Sequence, residues 1–589
     1  MLTALAGIAM ASCGDFLEIK PRDIVTEDNF WNEKSDIEQL VRGCYTAMQS
    51  DAFITRCVLW GEGRSENLQP STTLQSDDYN LYQIMRENLL PSNPYTRWVD
   101  FYYVINKCNT VIKMAPVVSQ KDPSYRESDV KATIAEMTAL RSLCYFYLIR
   151  TFDEVPFYRD AVQQENEVLY IPASSFDYVM GEIIADLESV KGDAIVHYAK
   201  SDYDGVGKTY YSDVNRMTRT GINALLCELY LWQGQYAKAV ECADAVIAQK
   251  RSDYDDLFGR TSASMLTTSV PRLLTAPNGT TAYLYQASLD SPSAVFDAVF
   301  GTGNSYESIF ELSYNYTGTG SPYISSTALG RLFGEGVDKG NAGAGHLRPK
   351  SDIVAEANDG VFGGFWLNRY DTRFYNSIQA TDSRFSEGYV RKGVASQFSL
   401  SRNRGDNADK LLWNNTSRTD FYIPAVQNRN WIFYRLTDVM LLKAEALWCQ
   451  LTGDGSEAEA EMKKQIFDLI YLVNSRSVGD ASDSNKLKAN GTYTTNVNEM
   501  RDLLRKERNR ELLYEGKRWF DLLRYARRDG NPSIVRTSVT SKVQGSGGGS
   551  NGFPSMDALY WPYNKDELKV NTFLKQKSIY AKVDDGDDD

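Results

Sequence analysis

Histidine is nearly missing. His197 and His346 are the only two in 589 residues, and neither stands at a metal-ligand spacing. HExxH and CxxC pairs are absent, which removes the usual zinc and dithiol readings. There is no GxxxxGK(S/T) loop to cradle a phosphate and no GxSxG elbow to present a serine nucleophile. The spacing of an EF-hand calcium loop is also missing. Positive charge is in deficit: 64 Lys and Arg against 77 Asp and Glu give a net charge of −13, so a nucleic-acid partner is disfavoured. No stretch reaches about 18 apolar residues, so none is expected to cross a bilayer. The eight cysteines (Cys13, Cys44, Cys57, Cys108, Cys144, Cys227, Cys242 and Cys449) follow no framework spacing. Five of them, Cys44, Cys108, Cys144, Cys227 and Cys242, lie in apolar helical runs and are read as buried free thiols. No cofactor or metal is called for.

What is there is a long, Tyr-rich chain of otherwise ordinary globular composition, with 42% hydrophobic and 24% charged residues. It carries 37 Tyr and 10 Trp, residues that pair a flat apolar face with a polar handle and suit cores and wet binding surfaces alike. The first residues, "MLTALAGIAMASCGDFLEIKP", hold a short apolar run, Leu2 to Ala11, ending in small residues before Cys13. This resembles a bacterial lipoprotein signal, with Cys13 the lipidated residue, although no Lys or Arg precedes it and Met10 stands where such signals favour Leu. The implied relation to the membrane is anchorage, not spanning.

Helical periodicity dominates both ends of the chain. "DVKATIAEMTALRSLCYFYLIRTF" sets Ile134, Met137, Leu140, Leu143 and Cys144 at three- and four-residue steps, the pattern of an amphipathic helix. "TRTGINALLCELYLWQGQYAKAVECADAVIA" reads as two helices joined at Gly234, with Leu226, Tyr230, Tyr236 and Ala239 where a tetratricopeptide repeat packs its helices. A second, looser pair is expected at "YRLTDVMLLKAEALWCQL" and the helix from Glu457 to Asn474. A repeat pair cannot bury its face alone, so further pairs are expected among the N-terminal helices. Trp98, Trp232, Trp448 and Trp519 sit within helical patterns and are read as core. Between the helical blocks lies a segment rich in Gly, Ser, Thr, Asn and Tyr, with strand-like pieces such as "SIFELSY". Its aromatic content argues for a functional lobe of long loops. The expected division is a signal-like segment over 1–12, a helical region over 13–251, a loop-rich lobe over 252–430 and a second helical region over 431–589. The fold class is mainly α: a tetratricopeptide-like scaffold with an inserted lobe containing short strands.

One segment runs against the overall charge. "RKERNRELLYEGKRWFDLLRYARRDG", Arg505 to Gly530, carries nine Lys and Arg. Acidic residues stand beside them at helical spacings: Glu507 with Arg510, Glu515 with Arg518, Asp521 with Lys517 and Arg524. An apolar side is supplied by Leu503, Leu512, Trp519, Phe520 and Leu523. The segment is therefore read as a helix laced by ion pairs on a packed scaffold, and not as a phosphate-binding face.

The same residues resemble the C-terminal signature of the SusD/RagB family, ER-x-x-EL-x-x-EG-x-RW-x-DL-x-R. "FLEIKPRDIVTEDNFW" resembles the family's segment after its lipid cysteine, and "WVDFYYVINKCNTVI" its tryptophan-containing helix. "AEMTALRSLCYFYLIRTFDEVPF" resembles its helix and G-x-VP turn, with Ser142 for Ala and Asp153 for Gly. "ESIFELSY", "DTRF" and "RLTDVMLLKAEAL" are also similar. "WPYNKDELKVNTFLKQKSIY" resembles its last segment, with Trp561 for Ile and Lys577 for Asn. Eight pieces in the family's order make the likeness specific. It implies an outer-membrane surface lipoprotein, with Asp15 and Glu18 resembling a surface-export signal. Such proteins bind glycan, or in some members peptide, and deliver it to a SusC-like TonB-dependent transporter as a lid on its channel; they are not enzymes.

Sugars offer C–H faces for aromatic rings and hydroxyls for polar side chains. The expected ligand-binding residues are Trp60, Arg64, Asn67, Tyr79 and Tyr82 in the early loop, and Tyr314, Tyr316, Trp366 and Arg369 in the lobe. Two rival functions are weighed. A glycoside hydrolase needs a carboxylate pair at a set separation, which no sequence motif here marks. A helical-repeat scaffold that binds only proteins leaves the lipoprotein-like start and the aromatic lobe without a role.

Overall fold

The computed structural model describes residues 30–71, 73–162, 170–198, 200–201, 210–258, 270–287, 294–300, 304–314, 328–333, 346–350, 371, 430–478, 486–544 and 552–581. The longer helices are α1 (Lys34–Met48), α2 (Asp51–Val58), α3 (Val99–Lys121), α4 (Glu127–Phe152), α5 (Phe176–Val190), α6 (Arg219–Gln233), α7 (Tyr236–Phe258), α8 (Leu436–Trp448), α9 (Glu457–Ser477), α10 (Val497–Glu511), α11 (Arg518–Asp529) and α12 (Ser533–Gln544). Strands among the described residues form antiparallel pairs: β1 (Leu68–Pro70) with β7 (Leu347–Pro349), β2 (Lys200–Ser201) with β3 (Tyr210–Tyr211), β4 (Arg272–Thr275) with β5 (Thr281–Leu284), and β6 (Ser308–Leu312) with β8 (Trp431–Arg435).

Local chemistry sets the repeat boundaries. The Thr218 hydroxyl accepts the Gly221 N–H and opens α6. Gly234 closes it in the left-handed conformation, φ 78°, which a side chain would resist. Leu226, Tyr230 and Ala239 are buried between α6 and α7 as the repeat pattern requires. The same logic yields the second pair, α8 and α9. Packing then runs in a chain: α1 on α3, α3 on α4, α4 on α5, α5 on α6, α6 on α7, α7 on α8, and α8 on α9 and α10. The helical stack thus passes across the inserted segment, and an ion pair between Lys443 and Asp244 (2.5 Å) ties α8 to α7.

Two expectations change in detail. α4 was read as amphipathic, yet from Ala135 to Phe152 every residue is buried. It lies between α3 and α5, and Tyr147 meets Phe433 and Phe520 edge-on from the C-terminal half of the chain. A helix buried on all sides is a central helix, and its charged residues are paired, Arg141 with Asp186 and Arg150 with Glu228. The basic segment is a scaffold element as expected, but it is two helices. Tyr514 (φ 66°) and Gly516 (φ 69°) break the chain between α10 and α11. Helical spacing therefore fails across the break: Arg518 pairs with Glu66 (2.5 Å) instead of Glu515, and Lys517 reaches Asp438 (3.1 Å). Within each helix the local pairs hold, Glu507–Arg510 and Asp521–Arg524, both 2.8 Å.

Most of the other pairs are long-range and buried. Arg435 meets Glu511 (2.5 Å) and Glu515 (2.8 Å); Arg508 meets Asp438 (2.7 Å) and Asp521 (2.8 Å); Arg524 meets Glu445 (2.7 Å). The arginines and lysines draw the carboxyls of Asp438 and Glu445 down to about 2 against their burial. Gly61 lets the π-helical turn Leu59–Gly63 approach the break between α10 and α11, since a Cβ on Gly61 would collide with the Gly516 carbonyl.

Candidate ligand-binding surface

The early loop folds partly inward. Trp60, in the π-helical turn Leu59–Gly63, is fully buried; it stacks on Phe101 at 4.8 Å and donates its indole N–H to Tyr95 O at 3.1 Å. Arg64 lies over Trp519 (4.2 Å), donates to the carbonyls of Leu559 (2.7 Å) and Ala558 (2.9 Å), and meets Glu87 at 2.9 Å. Asn67 donates to Glu62 (2.8 Å) and to Asn509 (2.9 Å). All three were expected on an exposed binding loop. They instead join the N-terminal turn to the C-terminal helices, because Trp60 and Arg64 find aromatic partners in α3, α11 and the chain after Phe553. Glu62 itself is fully buried, and desolvation raises its carboxyl to about 7 despite hydrogen bonds from Asn67 and the Arg518 N–H.

The outward face begins with the next residues. Asp78 accepts the Leu81 N–H (2.9 Å) and opens the short helix Tyr79–Met85. Its second oxygen accepts the Tyr95 hydroxyl, whose pKa burial and this bond hold well above the usual phenol value, so Tyr95 is the donor. Asn93 donates to Asn80 O at 2.8 Å and fixes the helix from below. Tyr79 is 54% exposed. Tyr82 is half-buried beside it, with ring centroids 6.4 Å apart and planes tilted by 31°. Arg86 lies against the Tyr82 ring at 5.6 Å and donates to its hydroxyl at 2.9 Å.

The lobe is stitched to this face by β1 and β7, with Leu68 opposite Pro349 and Pro70 opposite Leu347. The stitch continues past the strands, since Ser71 N–H donates to His346 O (3.0 Å) and His346 N–H to Arg331 O (3.2 Å). Arg331 in turn donates to the Thr55 hydroxyl at 3.1 Å. Tyr314 is half-buried at the C-terminal end of α1, its hydroxyl donating to Gln49 O at 3.2 Å. Trp366, Tyr316, Arg369 and Cys13 lie outside the described residues. Of the expected site residues, the structure brings Tyr79 and Tyr82 together on a solvent-facing helix. Asp78, Tyr95, Ser71, Arg331 and His346 were not anticipated around them. His346 stood out in the sequence only by its rarity, and no local pattern ties it to the early loop.

A model of the SusD family matches residues 306–580. SusD-like protein P38 of Formosa agariphila is 24% identical over 583 residues, which cover 97% of this chain and 96% of that protein. A solved laminarin-binding SusD-like protein shares the fold with a TM-score of 0.60 at 19% identity, over 93% of this chain and 100% of that one. Surface glycan-binding protein A from Bacteroides thetaiotaomicron, solved with laminarihexaose, gives a TM-score of 0.61 at 16% identity, over 92% and 99%. Among the described residues no helix is long and apolar enough to cross a membrane, and no cluster of His, Cys, Asp and Glu could hold a metal ion.

Proposed function

The chain belongs to the SusD family, and on that premise we propose that it is a cell-surface lipoprotein of the outer membrane that binds glycan and delivers it to a TonB-dependent transporter of the SusC type. The observation that carries the reading is the Tyr79–Tyr82 pair, an aromatic face left in solvent next to Asn80, Gln83 and Arg86. Aromatic rings beside amide and guanidinium groups match the two faces of a sugar, its C–H side and its hydroxyls. The likeness over most of the chain to proteins described with laminarin and laminarihexaose supports the ligand class. The role is capture without catalysis, with Cys13 as the lipid anchor.

Affinity electrophoresis tests this: the soluble form from residue 14 onward is run through gels containing laminarin, starch, xylan, mannan or pectin. Retardation by at least one polysaccharide is expected, and its loss in Tyr79→Ala with an unchanged circular dichroism spectrum. Migration unaffected by any glycan would overturn the glycan reading and turn the search to peptides.

A further inference from the structure

Four cysteines belong to one corner of the core, where α1, α2, α3 and α4 meet: Cys44, Cys57, Cys108 and Cys144. All four are free thiols in this structure, and none has exposed surface. They are not equivalent. Cys57 is hydrogen-bonded to Tyr147, whereas the sulfurs of Cys44 and Cys108 are hydrogen-bonded to each other. The helices that carry this pair, α1 and α3, pack directly. Their register agrees with the contact, since Lys107 Nζ lies 3.9 Å from the place a Gly43 Cβ would take, so residues 43–44 face residues 107–108. Cys144, on α4, is a third thiol close to Cys44.

We propose that Cys44 and Cys108 become a disulfide in the exported protein, a covalent tie between α1 and α3. The inference rests on the export part of the proposed function, since such bonds form and persist in oxidising compartments. Two sulfurs already in contact on packed helices need a short approach to bond, with no change of partner or register. The oxidant is a protein disulfide of the exporting compartment. One cysteine thiolate attacks it and expels one of its sulfurs as a thiol; the second thiolate then displaces the resulting mixed disulfide. The two cysteines lose two protons and two electrons, and the oxidant leaves as a dithiol. Burial sets the timing. It pushes the Cys108 thiol far above its ordinary value, and neither sulfur touches solvent, so the exchange belongs to folding, before α1 seats on α3. The same burial then shields the bond from reduction. The tie closes the long loop from α1 through α2 to α3 and fixes the helix at one end of the packing chain.

The test uses the form from residue 14 onward, exported to the periplasm of a bacterial host, then unfolded and alkylated without reductant. Five of its seven cysteines are expected to react, rising to seven after reduction. The unreduced mass is expected to be about 2 Da lower, two hydrogens lost to the oxidant. Trypsin without reduction is expected to yield residues 43–56 joined to residues 108–113. Cys44→Ala and Cys108→Ala should each abolish the joined peptide, and Cys144→Ala should keep it. If a variant fails to fold, the wild-type peptide map decides alone. If the exported form is not recovered, refolding in reduced and oxidised glutathione supplies the same count. Seven reactive thiols before reduction would overturn the inference, as would a bridge that maps to Cys57 or Cys144. The glycan gels read the other proposal independently: retardation of a protein with seven free thiols removes the bridge alone, and a bridged protein that no glycan retards removes the glycan reading alone.

Discussion

Arg435 and Ser71 are both buried, yet they stand in opposite conditions. Arg435 is held by two carboxylates, Glu511 and Glu515, and by the Glu511 carbonyl. Ser71 has a hydroxyl with no partner among the described residues, beside a histidine in the same state and an aromatic helix left in solvent. Partnerless buried atoms occur on both sides, Arg508 Nη2 and Arg524 Nη1 among them, so what separates the two regions is charge pairing in one and an aromatic helix left in solvent in the other. In the C-terminal scaffold the buried charges of Arg435, Arg508 and Arg524 meet opposite charges, so binding anything there would mean breaking an existing pair. A patch that looks functional by charge, the arginine-rich segment, is structural for this reason, and a weaker-looking patch with an aromatic face left in solvent is the binding candidate.

Breaking the scaffold side has the largest effect. Arg508→Met removes one partner from each of Asp438 and Asp521, leaving the buried carboxylates with Lys517 and Arg524 alone. The expected loss is about 3–5 kcal/mol, the range for truncating one side of a buried pair, read as a lower urea midpoint. An unchanged midpoint would mean that water or Lys517 compensates and that the scaffold is less committed than its geometry indicates. Acid tests the same pairs without mutation. Asp438 and Glu445 have folded pKa values near 2 and ordinary values of 3.8 and 4.5, so their contribution is complete above about pH 4.5 and lost as pH falls through 2. Each accounts for on the order of 2–3 kcal/mol over that window. Urea midpoints level above about pH 4.5 and falling steadily from there to about pH 2 would agree; midpoints unchanged over that window would not.

Glu62 behaves in the opposite sense and sits between the two regions, where β1 leaves the scaffold. Its folded pKa is raised to about 7, so the stability from its neutral carboxyl is complete below pH 4.5 and lost as pH rises through 7. Glu62→Gln keeps the hydrogen bond from Asn67 in reach of its amide oxygen and cannot ionise. Wild type is expected to lose about 2–3 kcal/mol between pH 5 and 9 that Glu62→Gln does not lose. Parallel stability profiles for the two would show that the carboxyl does not change charge over this range.

The scaffold was the more legible region because its information is local. Periodicity locates α4 and the two repeat pairs, Gly234 closes α6, and Trp98 and Trp519 are buried as their helical positions indicate. Burial of Cys44, Cys108, Cys144, Cys227 and Cys242 follows from the same apolar runs. The pairs Glu507–Arg510 and Asp521–Arg524 are also local. Arg435 with Glu511 is not, because only the tertiary fold brings β8 to the end of α10. The junction was poorly legible for the same reason. Trp60, Arg64 and Asn67 have the composition of a binding loop, and what turns them inward is the chain around Ala558 and Leu559 and Asn509, far along the sequence. Tyr79 could be named from its type and its loop, whereas His346 needed the β1–β7 pairing to come beside Ser71.

The smallest expected effect concerns the turn at the end of α4. Asp153 ends α4 with φ 68° and ψ −62°, and Glu154 N–H donates back to Phe152 O at 2.9 Å, a γ-turn of the strained, positive-φ kind. The SusD pattern has glycine at this position, where the conformation carries no side-chain penalty. What the aspartate adds is a carboxylate 3.2 Å from Arg527, which ties the end of α4 to the end of α11. The strain costs about 1–3 kcal/mol, and this half-buried pair, in which burial raises the Asp153 carboxyl despite Arg527, returns about 0–1 kcal/mol. Asp153→Gly releases the strain and loses the pair, so its stability is expected to equal or slightly exceed that of wild type. Asp153→Ala loses the pair and keeps the strain, and is expected to fall below Asp153→Gly by about 1–2 kcal/mol. Equal urea midpoints for the two variants would remove the strain from the account and leave Asp153 as a partner for Arg527 alone.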